Sequence, residues 1–206
     1  MSDAARLEEC VADGGVALFP ADGLYGLACD PSNRGAIARI HALKGRDEGR
    51  PSAVMFFTPL GMREVLAMSG PCTRAAIGAL LPGPVTLVVG NPRELYPLAC
   101  REDRRRLGIR LIAGPLEGAR GAVFQTSANR SGAPAPARFE QIDDEILAGV
   151  DLALDGGALG GEPSTVVDVT AIDSGGDWRL LREGALGEPA VRQALRALGR
   201  GEGTRG

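Results

Sequence analysis

Residues 18–51 read LFPADGLYGLACDPSNRGAIARIHALKGRDEGRP, and the other predicted elements can be arranged around this segment. It begins within an apolar run, Val16 to Phe19, which predicts a buried strand. A sharp turn follows, in which Pro20 fixes φ and has no N–H to donate. Gly23 and Gly26 permit backbone conformations that other residues resist. The turn can therefore bring the main chain close to a ligand, as expected at a binding site.

The second half of the segment is an amphipathic helix followed by a cationic loop. The helix has its apolar face at Ile37, Ile40 and Leu43, and the loop carries Lys44, Arg46 and Arg50. A lysine and an arginine so close together could bind phosphate or carboxylate oxygens. The acids at positions 47 and 48 cancel part of this charge, so a solvated surface loop is the alternative interpretation.

Length and composition indicate one globular domain of ordinary character. The chain has 206 residues, of which 44% are hydrophobic and 24% are charged, values typical of a globular protein. We expect a single domain over residues 1–199 and a disordered tail over residues 200–206. A net charge of −3 disfavours a protein that grips nucleic acid through bulk charge, although a local basic patch is still possible.

The cysteines and the N-terminus predict a reducing compartment. Cys10, Cys29, Cys72 and Cys100 are widely spaced, and the chain has one histidine to complete a metal set. We therefore expect free thiols, no disulfide and no structural metal. The N-terminus is acidic and lacks a long apolar run, so neither a signal peptide nor a membrane span is expected. The predicted location is cytoplasmic.

Periodicity along the chain predicts a mixed α/β fold, with several strands that follow one another directly. Strands are predicted at 16–19, 52–57, 85–89, 107–112, 121–125, 151–154, 165–169 and 178–181. Helices are predicted after Ser2, from Thr58 to about Met68, and at about 73–81, 139–146 and 191–198. The expected architecture is a twisted sheet of parallel and antiparallel strands covered by helices.

The residue types favour binding and transfer at a phosphate. No phosphate-binding loop of the G-x-x-x-x-G-K-[ST] type and no G-x-G-x-x-G occurs. His41 has no orienting partner nearby in sequence, which disfavours histidine-driven hydrolysis. Ser127 and Asn129 follow a predicted strand, where local turn bonding is an equally good interpretation. The run from 101 to 106 is more typical of a solvated turn than of a nucleic-acid patch.

Four stretches in order resemble the YrdC-like threonylcarbamoyl-AMP synthases over roughly residues 15 to 187. They are the proline turn with Tyr-Gly-Leu and Lys-x-Arg, the PGPVTL at 82–87, the TSANRSG at 126–132, and the STVVD at 164–168 with LREGA at 181–185. The resemblance implies the same mixed-sheet fold. It also implies a nucleotidyltransferase that makes threonylcarbamoyl-AMP and pyrophosphate from ATP, threonine and bicarbonate, for threonylcarbamoyladenosine formation in tRNA.

The same resemblance implies the site. Lys44 and Arg46 would be the catalytic cations on the ATP phosphates, assisted by Arg50, Asn129 and Arg182. The threonine side would consist of Ser127, Ser164 and Arg110. Alternation on its strand turns Arg110 away from Ile109 and Leu111, so that its guanidinium could hold the threonine carboxylate. Magnesium would accompany ATP, and a separate threonylcarbamoyl-transferase would use the product.

The chain departs from this pattern on the amino-acid side. The resembling proteins usually have threonine at the positions of Ala21 and Gly23, and many have histidine at Met55. Two other interpretations therefore stay open. One is a noncatalytic paralogue that binds double-stranded RNA or tRNA through shape and phosphates. The other is carbamoyl-adenylate chemistry on a different amino acid.

Overall fold

The computed structural model describes residues 1–45, 50–114, 116–198 and 204–205. Its strands are β1 (Ala17–Ala21), β2 (Leu24–Cys29), β3 (Ala53–Phe56), β4 (Val85–Gly90), β5 (Arg106–Leu111), β6 (Ala122–Ser127), β7 (Leu152–Ala153), β8 (Thr165–Asp168), β9 (Arg179–Arg182) and β10 (Thr204–Arg205). Its α-helices are α1 (Asp3–Ala12), α2 (Arg34–Lys44), α3 (Arg63–Met68), α4 (Pro71–Leu80), α5 (Pro97–Cys100), α6 (Asp144–Ala148) and α7 (Glu188–Leu195). Short 3-10 turns occur at Phe139–Gln141, Ile172–Ser174 and Arg196–Leu198.

The described strands form one mixed sheet in the order β10-β9-β8-β4-β5-β3-β6-β2-β1-β7. The pairs β3/β5, β4/β8, β1/β7 and β9/β10 are parallel, whereas β1/β2, β2/β6, β3/β6, β4/β5 and β8/β9 are antiparallel. The predicted mixed sheet is confirmed. Of the predicted tail at 200–206, only the two residues of β10 are described.

Alternation along the strands divides the buried side chains between two faces of the sheet. Leu18 and Leu27 belong to a large core that also contains Ile40 of α2 and Val191 of α7. Their neighbours on the strands, such as Phe19, belong to a smaller core on the opposite face, against α1. This smaller core covers only part of its face, and the rest of that face carries the cavity described below.

Local sequence signals set both ends of α2, and the helix ends where the cationic loop begins. Asn33 caps its first turn, because the Asn33 Oδ1 accepts a hydrogen bond of 3.0 Å from the Ala36 amide. Gly45 ends the helix in the left-handed region, with φ of 55°. Lys44 is therefore the last helical residue, and its side chain is carried to the end of the sheet where β6 terminates.

Three predicted elements were wrong in detail. The predicted helix from Thr58 begins only at Arg63, because residues 58–62 form a turn in which the Gly61 amide bonds to Thr58 Oγ1 at 3.1 Å. The predicted helix at 139–146 is broken into a 3-10 turn and α6, with Asp143 capping the second piece. The strand β2, within the segment interpreted as a turn, was missed; it pairs with β1 in a hairpin.

All four cysteines are free, and burial raises the pKa of the Cys29 thiol to about 12. Within the described residues, every helix is too short or too polar to span a bilayer.

Candidate active site

A cavity of about 580 Å³ lies over the open half of the sheet face. That volume is within the range of roughly 300–1,000 Å³ found for small-molecule sites. Its lining comes from β1, β2, β3, β4, β5, β6, β8 and β9 and from the loops beside them. Because so many strands contribute, residues that are distant in sequence can act on one bound molecule.

Two small residues of the cavity lining, Gly108 and Ala53, lie beside each other on β5 and β3. Gly108 of β5 pairs with Val88 of β4, and Ala53 of β3 pairs with Gln125 of β6. A Cβ built on Gly108 would meet no atom closer than 3.6 Å, at Ala53 Cα. Glycine is therefore not forced here by packing, and its effect is to leave room above the sheet for a ligand.

One end of the cavity is built around the buried guanidinium of Arg110. It forms an ion pair with Asp22 in the β1–β2 turn, and its Nη1 donates to Gln125 Oε1 at 3.1 Å. Its Nε has no hydrogen-bond partner among the described residues. Burial lowers the pKa of Arg110, and it raises the pKa of Asp22, although each partner opposes the shift of the other. This part of the cavity therefore keeps a buried cation that the described residues only partly hydrogen-bond.

The cavity is also lined by a second guanidinium, that of Arg182 on β9. Its Nη2 donates to the main-chain oxygen of Ser164 at 2.7 Å and to the Ser164 Oγ at 3.2 Å. The Ser164 hydroxyl also bonds to Thr86 Oγ1 of β4 at 2.9 Å. Desolvation lowers the pKa of Arg182. Among the described residues, no carboxylate neutralises this arginine, so its charge is available to an anion.

Ser127 and Asn129 line the cavity where β6 runs into a tight loop. The Ser127 hydroxyl donates to Asn129 Oδ1, and the Asn129 side-chain amide donates to Ala133 O at 2.6 Å and to Arg130 O at 2.9 Å. The local turn bonding considered from the sequence is thus present. It fixes the shape of the loop while both residues still face the cavity.

Lys44 supports this loop from behind and is not one of the residues that line the cavity. Its side chain is 3% exposed, and its Nζ donates to the main-chain oxygens of Ser127 and Asn129, the latter at 2.7 Å. The Ser131 amide in turn donates to Lys44 O at 2.7 Å. In this geometry the ammonium contacts protein carbonyls, whereas the sequence predicted direct contact with phosphates.

The other predicted cations have different positions. Arg50 is exposed and precedes Pro51 and Ser52, which line the cavity. Arg46 lies outside the described residues. The structure thus brings together Arg110, Ser127, Asn129, Ser164 and Arg182 in one cavity, with Arg50 beside it and Lys44 beneath it.

Sequence reasoning missed Arg106, a third arginine of the cavity wall. Its Nη2 donates to Asp168 Oδ2 at 2.6 Å, and Arg179 donates to the same oxygen at 2.7 Å. Burial raises the pKa of Asp168, but hydrogen bonds from Thr170 and Arg179 outweigh it, and the pKa is lowered overall. The available signal was the spacing of two between 106, 108 and 110, which places all three residues on one face of a strand.

Asp22 was also missed, because the sequence carries only a weak signal for its role. Its φ of 63° is unusual for a residue other than glycine, and the Asp-Gly pair is a strong hairpin signal. Nothing in the local sequence relates it to Arg110, which lies 88 positions away.

Comparison with known proteins gives three kinds of match. The Sua5/YciO/YrdC family model, described as telomere recombination, matches residues 9–184. A threonylcarbamoyl-AMP synthase of Mus musculus is 34% identical over 169 residues, which cover 76% of this chain and 59% of the mouse protein. A threonylcarbamoyl-AMP synthase of Nitrosococcus oceani is 31% identical over 159 residues, which cover 74% of this chain and 83% of that protein. The chain thus spans less than two thirds of the mouse relative.

Among solved structures, the chain is similar to P. abyssi Sua5 complexed with L-threonine. The TM-score is 0.80 at 24% identity, and the match covers 93% of this chain and 56% of the archaeal one. This likeness concerns the fold, which includes the sheet and the strands that line the cavity.

Proposed function

This chain belongs to the Sua5/YciO/YrdC family, and we propose that it is a threonylcarbamoyl-AMP synthase that acts in tRNA modification. It would make threonylcarbamoyl-AMP and pyrophosphate from ATP, threonine and bicarbonate. The relatives with that name at 31% and 34% identity support the proposal. The structural observation that carries it is one cavity lined by the buried guanidinium of Arg110 and by that of Arg182, which pairs with no carboxylate among the described residues.

We assign the amino acid to the end at Arg110. A buried arginine whose Nε is unused suits a carboxylate, because a charge-assisted hydrogen bond in a low-dielectric site is strong. Ser127 and Ser164 would supply hydroxyl groups from two sides of the cavity. A P. abyssi protein of the same fold is complexed with L-threonine, which supports an amino acid as a substrate of this chain.

We assign the nucleotide phosphates to the wall at Arg182 and to the loop after β6. Arg182 has no carboxylate partner among the described residues, and Asn129 reaches the same cavity from the opposite side. Arg50 would approach from the rim, and Arg46, which lies outside the described residues, would keep the phosphate-binding role that the resemblance implies. Lys44 would act by holding the main chain of Ser127 and Asn129 in place.

The reaction needs positioning and charge stabilisation more than a strong base. The threonine amine and bicarbonate first give a carbamate with loss of water. A carbamate oxygen then forms a bond to the α-phosphorus of ATP, while the bond from that phosphorus to the oxygen bridging to the β-phosphorus breaks. Negative charge moves onto pyrophosphate, and arginine donors held near it lower the barrier.

ATP would enter as its magnesium complex, so that magnesium is part of the substrate. The cavity wall includes the carboxylates of Asp103 and Glu162, and hard oxygen donors of this kind suit magnesium. The product would pass to a separate transferase that modifies tRNA, which agrees with the cytoplasmic location expected from the sequence.

The deciding experiment measures pyrophosphate release from ATP with bicarbonate and a panel of amino acids. We expect release only when ATP, bicarbonate and threonine are all present. A salt-sensitive affinity for double-stranded RNA without turnover would instead favour the noncatalytic alternative. Turnover with another amino acid in place of threonine would keep the adenylate chemistry and refute the assigned substrate.

A further inference from the structure

The segment from Asp155 to Ser164, here termed the strap, joins strands at opposite parts of the sheet. It leaves β7 at one edge and enters β8, and six strands lie between these two. The strap must therefore cross the face of the sheet. Three of its residues, Glu162, Pro163 and Ser164, line the cavity, so the crossing forms part of the cavity wall.

The first end of the strap is fixed by the hydroxyl of Tyr25. This buried oxygen accepts from the Gly156 amide at 2.9 Å and donates to the Gly157 carbonyl at 2.8 Å. A Cβ on Gly156 would lie 2.8 Å from Pro20 Cβ. The strap backbone is thus in direct contact with the side chains of Tyr25 and Pro20 in the hairpin of β1 and β2.

The middle of the strap rests on Gly23, at the tip of the same hairpin. The Gly161 amide donates to Gly23 O at 2.9 Å. A Cβ on Gly23 would lie only 2.3 Å from the main-chain oxygen of Glu162. Because that neighbour is backbone, no rotamer change relieves the clash, and strap and hairpin would have to separate by about 1 Å.

The far end is fixed in the same manner. The Ala185 amide donates to Pro163 O at 2.9 Å, and Arg182 binds the Ser164 carbonyl. A Cβ on Gly184 would lie 2.2 Å from Pro163 O. With main-chain bonds at both ends and in the middle, the strap is a fixed wall, and its height above the sheet is set where it crosses Gly23.

Gly23 directly follows Asp22, the ion-pair partner of Arg110. The strap therefore crosses the hairpin beside the cation that we assign to the amino-acid carboxylate. A wall at this point limits the space for the side chain of the bound amino acid.

We propose that Gly23, where the resembling proteins usually have threonine, is a specificity-determining residue of this chain: by letting the Glu162 main chain approach the hairpin more closely than a residue with a Cβ would, it sets a close wall that admits small amino-acid side chains and excludes large ones. The proposal rests on the proposed function, since it assigns this end of the cavity to the amino acid. Its structural part, the contact between the strap and Gly23, can be tested separately.

The test compares Gly23→Ala with Gly78→Ala. The control adds the same methyl group in α4, where a Cβ meets no atom within 4 Å. In pyrophosphate release, Gly23→Ala should raise the KM for threonine about tenfold and leave the KM for ATP nearly unchanged. For comparison, one methylene more or less on a substrate in a hydrophobic pocket is typically worth about 10- to 200-fold. Larger amino acids such as leucine should gain relative to threonine by a similar factor, and the control should match the wild type.

A second measurement, hydrogen exchange of the strap amides, does not depend on turnover. In Gly23→Ala, the Gly161 amide should exchange at least tenfold faster, whereas the Gly156 amide held by Tyr25 should change less. If Gly161 exchange rises but no amino acid supports turnover in the wild type, the proposed function fails and the strap contact stands. If exchange and amino-acid preference both equal the wild type in a folded Gly23→Ala protein, Gly23 does not set the wall and the inference is wrong. Faster exchange without any change in preference also overturns the specificity role.

Discussion

Replacing Lys44 with methionine separates two roles that the cationic loop suggested for this residue. Methionine keeps an unbranched side chain of similar length but removes the ammonium that donates to the main-chain oxygens of Ser127 and Asn129. If Lys44 supports the loop, the variant loses stability as well as activity. If Lys44 only binds phosphate, the variant keeps its stability.

The size of the effect follows from the burial of the ammonium. Its side chain is 3% exposed, and each hydrogen bond from a charged donor is worth about 1.5–3 kcal/mol. The two bonds share one donor group and are not additive, so we expect a loss of about 3 kcal/mol in the free energy of unfolding. For a domain of this size, about 1 kcal/mol corresponds to roughly 2–4 °C in Tm. The melting temperature should fall by roughly 6–12 °C.

The assay is thermal unfolding followed by circular dichroism, with Arg50→Met as the matched control. Arg50 is an exposed cation a few residues further along, and surface substitutions usually change stability by only about ±0.5 kcal/mol. If the melting temperature of Lys44→Met equals that of the wild type, the supporting role is refuted. Direct contact with the ligand would then be the role of Lys44.

Three further predictions concern the cavity arginines and the buried acid. Arg110→Lys keeps the charge but loses the planar fork, so the KM for threonine should rise at least tenfold in steady-state assays while the ATP KM changes little; equal effects on both would contradict the carboxylate assignment. Arg46→Ala, outside the described residues, should slow pyrophosphate release by about a hundredfold with an unchanged melting temperature, and a wild-type rate would remove Arg46 from the site. Asp168→Asn should lower the free energy of unfolding by about 2 kcal/mol at pH 7. Because the pKa of Asp168 is lowered by folding, its contribution is present above the unfolded value of about 3.9 and is lost as the pH falls through the folded pKa. Urea titrations should therefore give a constant difference between pH 7 and about pH 5 that shrinks below about pH 4, and a difference independent of pH would contradict this.

The sheet could be predicted from the sequence where apolar runs were long and bounded by turn residues. The predicted strand from Val85 to Val89 matches β4 to within one residue at its end, because its β-branched residues and alternating burial fit a pleated, half-buried sheet. The strand β2 escaped prediction because Gly26 interrupts it. That glycine favours close approach of β2 and β6, since a Cβ would lie 2.8 Å from the end of the flexible Gln125 side chain and 3.2 Å from the main-chain oxygen of Thr126. A tertiary contact therefore overrode the local preference.

The predicted helix at 139–146 failed for a related reason. The apolar spacing of Phe139, Ile142 and Ile146 is helical, and it matched the pattern of residues that do pack inward. The Asp143 side chain accepts from the Glu145 amide at 2.9 Å and starts a new helix there. A capping residue inside an apolar period divides the helix without changing which face is buried.

In the candidate site, too, the features that depend on one strand could be predicted from the sequence, whereas those that depend on contacts between distant strands could not. Alternation on β5 was enough to turn Arg110 toward the cavity, because that depends on one strand only. Its partner Asp22 depends on the hairpin meeting a strand four places away in the sheet order, which no local pattern encodes.

Charge pairing in the cavity shows why its two ends are suited to different anions. Asp22 pairs with Arg110, and Asp168 pairs with both Arg106 and Arg179, so the cavity cations Arg110 and Arg106 are held in fixed, paired positions. The charge of a buried, paired arginine is largely cancelled, so it attracts a distant anion only weakly. Its unpaired N–H donors can still orient a carboxylate that lies directly against them. Arg182 is different, since its partners are the main-chain and hydroxyl oxygens of Ser164. Its positive charge has no opposing carboxylate among the described residues, so it would respond most strongly to a ligand whose negative charge grows during the reaction. Pyrophosphate leaving the α-phosphorus is such a ligand, and this places the phosphates at Arg182 and the amino acid at Arg110 in the proposed mechanism.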